Sequence, residues 1–234
     1  PVPRGLRTKR GRSPFVTPFS DLASAAYCPR QLYYRRREDD REVPDEVRDR
    51  IDLAFRYPES IDASDAALRR LPLRRSPAAY RRNLSRLRER DVYGRLVDPA
   101  RERAFLSGRD CHGIAHKVLT GVDGEPRIPV ICSPGEPPDQ GVWEPQSVRA
   151  VAAAKALAWE RERAVPRAIV EYPAVGVVRT VRLTTRRKAT YRRALRAARA
   201  GDGPPAPVDD DRCTNCEYRE RCGVGRRSIR SLLG

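Results

Sequence analysis

Between Gly108 and Gly201 the sequence alternates between runs that suit a strand and runs that suit a helix, in the order ββαββα. Ile114 to Leu119 and Ile128 to Cys132 are short apolar runs on either side of Asp123-Gly124, a turn dipeptide, and predict a hairpin. A Gly- and Pro-rich loop (133–141) leads to an Ala-rich segment with proline in its first turn, which predicts a helix over 145–163. Two further strands are expected at 168–172 and 175–183, around Pro173. Thr184 or Thr185 then caps a helix that runs to Ala200, with Gly201 at its C′ position. This order predicts an α/β fold, a mixed sheet flanked by helices.

The flanks differ in character. Residues 1–16 read as a flexible basic arm, and 17–50 as a helical segment that Pro29 interrupts just after Cys28. The stretch 51–107, broken by Pro58, Pro72, Pro77 and Pro99, reads as a helical insertion, 108–201 as the core, and 202–234 as a cysteine-bearing segment with a basic tail. No apolar run approaches the roughly 18–20 residues of a membrane span. The basic N-terminal residues precede no apolar stretch, so export is not expected and the cytoplasm is the expected compartment.

Lys and Arg number 48 against 31 Asp and Glu, a formal charge of +17, and only Lys9, Lys117, Lys155 and Lys188 are lysines. Charge of this sign attracts polyanions, and the planar arginine fork grips phosphate in bidentate fashion. The segment 184–200 concentrates it, with Arg186, Arg187, Lys188, Arg192, Arg193, Arg196 and Arg199 and no acid. On a helix Tyr191, Ala194, Leu195 and Ala198 form one apolar stripe, which turns most of the cations outward. DNA, as single strands or duplex ends, is the expected partner. A membrane surface is not expected, because the apolar stripe is too small. Arg30, and Tyr33-Tyr34 followed by three arginines, extend the candidate set, the tyrosines serving either base stacking or local packing.

Cys213, Cys216 and Cys222 fall within ten residues, a metal-ligand spacing that leaves one coordination position open. Cys28, Cys111 and Cys132 are candidates for the fourth ligand, and spacing alone admits an iron–sulfur cluster or zinc. Tyr27-Cys28-Pro29-Arg30 together with the three C-terminal cysteines resembles the CRISPR-associated exonucleases of the RecB-like nuclease group. The resemblance implies a [4Fe–4S] cluster held by Cys28, Cys213, Cys216 and Cys222, joining the chain ends around a restriction-endonuclease-type core. It also implies a setting in spacer acquisition or DNA processing, with integrase-type partners.

That family places an acid after a glycine on one strand, an acid-x-Lys on the next and a Gln-x₃-Tyr on a helix, so that carboxylates hold Mg²⁺ or Mn²⁺. Here His116 stands at the first acid, Ile131 and Ser133 replace the acid and the lysine, and Gln146 remains while Ala150 replaces the tyrosine. The resemblance therefore implies a nuclease scaffold with weak or lost activity. Its alternative is a site rebuilt from Asp123, Glu125, Glu136, Asp139 or Glu144 with Lys155 as a migrated lysine, giving an active single-strand exonuclease. A zinc-stabilised scaffold without chemistry is the third reading.

Overall fold

The computed structural model describes residues 16–38, 42–122, 124–201, 203–208, 211–214 and 216–224. Nearly all of the expected basic arm, Asp123 of the expected turn, and the tail arginines Arg226, Arg227 and Arg230 lie outside the described residues. The chain opens with β1 (Thr17–Pro18), α1 (Phe19–Tyr27) and α2 (Pro29–Arg35). A helical run follows: α3 (Asp45–Asp52), α4 (Tyr57–Asp62), α5 (Asp65–Leu68), α6 (Pro77–Arg88) and α7 (Tyr93–Val97). Then come β2 (Arg101–Ser107), β3 (Cys111–Leu119), β4 (Ile128–Cys132), α8 (Glu144–Glu160), β5 (Arg167–Tyr172), β6 (Val177–Arg182), α9 (Thr185–Arg199) and α10 (Arg219–Cys222).

Six strands make one open mixed sheet in the order β1-β3-β4-β5-β6, with β2 added on β3. The expected hairpin is present: β3 and β4 run antiparallel with Lys117 opposite Val130. β4 and β5 are parallel, with Cys132 opposite Glu171, a pairing that requires the crossover through α8. The strand at 101–107 falls within the stretch read as an insertion. Its sequence, RERAFLS, hides only Ala104 and Leu106, and it pairs with β3 alone. An edge strand with so few buried residues carries a weak period-two signal.

The sheet separates two apolar layers. On one face α1, α8 and α9 pack over Leu106, Ala115, Ile131 and Val170. On the other, the helical run from α4 to α7 covers Val130, Cys132 and Ile169 with Tyr57, Tyr80 and Leu84. The alanines of α8 have a steric role, because a Cβ added at Gly108 would meet the Ala156 Cα at 2.7 Å. Gly113 likewise leaves room for the Phe19 ring, 2.5 Å from where its Cβ would stand. Helix and strand approach too closely there for larger side chains.

The break at Cys28 is local chemistry. Cys28 is extended (φ −160°, ψ 117°), and Pro29 starts α2, where its missing N–H costs nothing. The C-terminal segment docks on these helices, but no cysteine cluster able to hold a metal joins the chain ends among the described residues, which corrects the expected architecture. The contacts are aromatic and arginine-based instead. The Tyr34 and Tyr218 rings stack at 5.4 Å, the Tyr34 hydroxyl donates to the Arg221 carbonyl at 3.0 Å, and Arg30 Nη1 donates to the Pro205 carbonyl at 3.0 Å.

Candidate nucleic-acid interface

α9 is built to show one face. Thr184 Oγ1 caps its start by accepting from the Arg187 N–H at 3.4 Å. Tyr191, Ala194 and Ala198 are buried against α1 and α8, and Arg36 donates to the Ala198 carbonyl at 2.7 Å near the helix end. The cations divide by what they touch. Arg193 pairs with Glu144 at 3.2 Å, Arg199 reaches the Asp110 carbonyl at 3.0 Å, and Arg187 donates to the Arg182 carbonyl at 3.1 Å. Arg186, Lys188, Arg192 and Arg196 are exposed and form no ion pair among the described residues. Lys188, Arg192 and Arg196 repeat at i, i+4 and i+8, so they line one stripe of the helix.

That stripe borders an open trough. Lys188, Arg192 and Arg196 line it from α9, with Lys155 of α8, Tyr191 and Asp110. Lys155, Tyr191 and Asp110 also line an adjoining hollow that continues to Trp159, Arg109 and Arg163. The Lys155 ammonium lies 5.5 Å from the Tyr191 ring centre. Trp159 is 59% exposed, and it sits four residues after Lys155 on the same face of α8. Asp110 and Glu162 are the acids of this continuous surface, which is otherwise cationic. Sequence reasoning missed Trp159, Arg109 and Arg163. The available signal was a lone tryptophan one helical turn beyond a lone lysine in an alanine helix.

Arg30 stands elsewhere. Its Nε donates to the Tyr34 hydroxyl at 3.4 Å, and with the Pro205 hydrogen bond this spends two donors on docking the C-terminal segment. Tyr34 is buried in the same contact, and the Arg37 guanidinium covers the Tyr33 ring at 3.5 Å. Packing accounts for both tyrosines.

The positions of the expected nuclease site come together in part. Gln146 Nε2 donates to Ser133 Oγ at 3.4 Å. His116 is 7% exposed, and its Nδ1 accepts from the Cys132 N–H at 3.0 Å, so the imidazole stands where a backbone ladder bond would continue. Burial, helped by the positive charges of Arg149, Arg103 and Lys117, pushes its pKa down to about 3. Ile131 is a core residue. Lys155 is nine residues from Gln146, about 14 Å along a helix, and belongs to the trough.

No carboxylates converge beside them among the described residues. Glu125 pairs with Arg167, Glu136 with Arg75 and Glu144 with Arg193, each out on the surface. Among the described residues no group of three or more His, Cys, Asp or Glu side chains could hold a metal ion. This overturns the expected Mg²⁺ or Mn²⁺ nuclease site, its rebuilt alternative, the [4Fe–4S] cluster and the zinc site. Cys28, Cys213, Cys216 and Cys222 do border one pocket, with Tyr27, Val208, Tyr218 and Val224 around them, and all are free thiols. Burial raises the Cys222 pKa, Arg30 pulls it down, and Cys28, Cys213 and Cys216 add to the rise. Spacing brought these cysteines to one place without giving them a coordinating arrangement.

Sequence reasoning also overlooked a charged pair in the core. Lys117 and Glu171 are both fully buried, with Nζ 3.3 Å from both carboxylate oxygens. Lys117 Nζ donates to the Ala54 carbonyl at 2.6 Å, and the Tyr57 hydroxyl donates to Glu171 Oε2 at 2.8 Å. The Phe55 and Tyr57 rings lie 5.0 and 5.2 Å from the ammonium. Each charge interrupts an otherwise apolar strand run, and two such interruptions were the signal available.

Fold and surface together define a mixed open α/β sheet protein with a basic, aromatic-ended trough. No protein-family model matches the chain, and no curated protein matches it. The resemblance to CRISPR-associated RecB-like exonucleases therefore has no support from family or relatives, and its nuclease function falls with the metal site. No helix among the described residues is long and apolar enough to cross a membrane.

Proposed function

We infer that this protein binds single-stranded nucleic acid along the trough between α8 and α9. The observation that carries the reading is the stripe of unpaired cations on α9 running into a hollow with an exposed tryptophan. Like charges at i, i+4 repel one another, and no acid on α9 offsets them, whereas a phosphate backbone does. The exposed Trp159 ring offers a stacking face to a base, which a duplex keeps inside its own stack. Cations that track the backbone beside an aromatic platform are the two parts that single-strand binding needs.

Two measurements test this. Binding of an oligodeoxythymidine across a salt series should give a steep negative log–log slope. Replacing Arg186, Lys188, Arg192 and Arg196 by Gln should flatten that slope by about 3, at roughly 0.7 for each phosphate no longer neutralised. An unchanged slope in the fourfold variant would remove α9 from the interface.

The chain has two tryptophans, Trp143 and Trp159, so Trp143→Phe leaves Trp159 as the sole reporter. Its fluorescence should be quenched on binding, and Trp159→Ala should weaken affinity by about 1–3 kcal/mol. Binding without quenching would mean that no base stacks there.

A further inference from the structure

Three cations surround the neutral His116 imidazole, and their partners are unequal. Lys117 is matched by Glu171, and Arg103 is matched by Asp52, with Nη2 to Oδ1 at 2.8 Å. Arg149 has no ion pair and no hydrogen-bond acceptor among the described residues. Its Nε is sealed from solvent and unpartnered, and the residue as a whole is mostly buried. The guanidinium is therefore partly desolvated at the edge of the core with its outer nitrogens within reach of solvent. Burial lowers its pKa, the mark of a cation without a countercharge.

A second orphan lies one helical turn away. Gln146 Oε1 is buried without a donor, while Nε2 of the same amide is spent on Ser133 Oγ. Turning the amide over lets the Ser133 hydroxyl donate to Oε1 and leaves the NH₂ group free as a donor. Gln146 and Arg149 are i and i+3 on α8, so their side chains share one face of the helix. An amide donor on the same helix face as an unmatched guanidinium is a donor set suited to an oxyanion. A partly buried, unpaired cation is costly, and a bound anion offsets that cost.

We propose that Arg149, with Gln146 and Ser133, forms a binding site for a single phosphate group. The ligand chemistry is a tetrahedral phosphate gripped by the arginine fork, which places two N–H donors on two oxygens. Free inorganic phosphate and the terminal phosphate of a nucleic-acid strand both supply it. The site is separate from α9 and stands whether or not the trough binds a strand.

Thermal unfolding with added inorganic phosphate, at ionic strength held constant with chloride, tests the site. The wild type should gain stability in a saturable way. Arg149→Gln should bind about ten- to a hundredfold more weakly, because the charge-assisted hydrogen bonds are gone. Arg149→Lys keeps the charge without the fork, should fall between the two, and supplies the same contrast if Arg149→Gln does not fold. The Gln variant of the four α9 cations should keep the full phosphate response, which separates this site from the trough.

A matched pair of oligonucleotides, with and without a 5′-phosphate, distinguishes the source. A response confined to the phosphorylated strand, lost in Arg149→Gln, assigns the site to strand termini. Equal behaviour of wild type, Arg149→Gln and Arg149→Lys toward every probe would overturn the proposal.

Discussion

Glu171→Leu is expected to lower the free energy of unfolding by about 3–5 kcal/mol, because it strands a charged lysine in the apolar layer. Lys117 has 0% exposure, and its remaining partner would be the Ala54 carbonyl at 2.6 Å. Lys117→Met should cost less below neutral pH than above it. Its partner Glu171 can take up a proton, and burial already raises its pKa, with Lys117 and the Tyr57 hydroxyl pulling the other way. A carboxyl whose folded pKa is raised stabilises the fold below its unfolded pKa and loses that contribution as pH rises through the folded value. Removing Lys117 raises the folded value further, so the variant should weaken progressively above about pH 4.5. The double variant Lys117→Met/Glu171→Leu should recover to within about 2 kcal/mol of the wild type. Urea unfolding of the four proteins at pH 5 and pH 8 makes the comparison. Single variants that match the wild type at both pH values would show that the pair does not contribute.

The second large effect is acid sensitivity at His116. Its folded pKa, about 3, lies below the ordinary imidazole value of 6.5. The unfolded chain therefore takes up a proton at a pH where the folded one does not. The contribution is fully present above pH 6.5 and is lost as pH falls toward 3. Each pKa unit corresponds to about 1.4 kcal/mol, so the loss should reach about 3 kcal/mol at pH 4.5. In His116→Gln the amide oxygen can still accept the Cys132 N–H, and this part of the pH dependence should vanish. Glu171 works with the opposite sign in acid and is common to both proteins, so the difference between their urea profiles isolates the histidine. Parallel profiles from pH 7 to pH 4.5 would refute the assignment.

Much of the fold was legible because periodicity is local. The Ile128–Cys132 run, the Thr184 N-cap of α9 and the break at Cys28-Pro29 rest on residues within a few positions of one another, whereas Gly201 does not take the left-handed conformation of the expected C′ cap. β2 was illegible because its two buried residues show no alternation until β3 lies beside them. The α9 cations were legible as charge, but which of them are free depended on Glu144 and Asp110, distant in sequence. Trp159 gains meaning from the hollow that Arg109 and Arg163 complete across the fold. The cysteines show the reverse failure. Sequence spacing indicates which thiols can meet, and it does not say where their sulfurs point.

The Lys117–Glu171 pair also fixes the alignment of the strands that carry it. Side chains alternate across a sheet with period two, so a slip of one residue along β5 would carry Glu171 to the α8 side. There it would face alanines and valines, and Lys117 would be left among Phe55 and Tyr57 with no carboxylate. Apolar residues on either side of β5 would tolerate such a slip far better, since Ile169 and Val170 are nearly interchangeable in bulk. Two charges in a dry layer thus act as an index mark. They admit one alignment of the strands and raise the energy of the neighbouring ones.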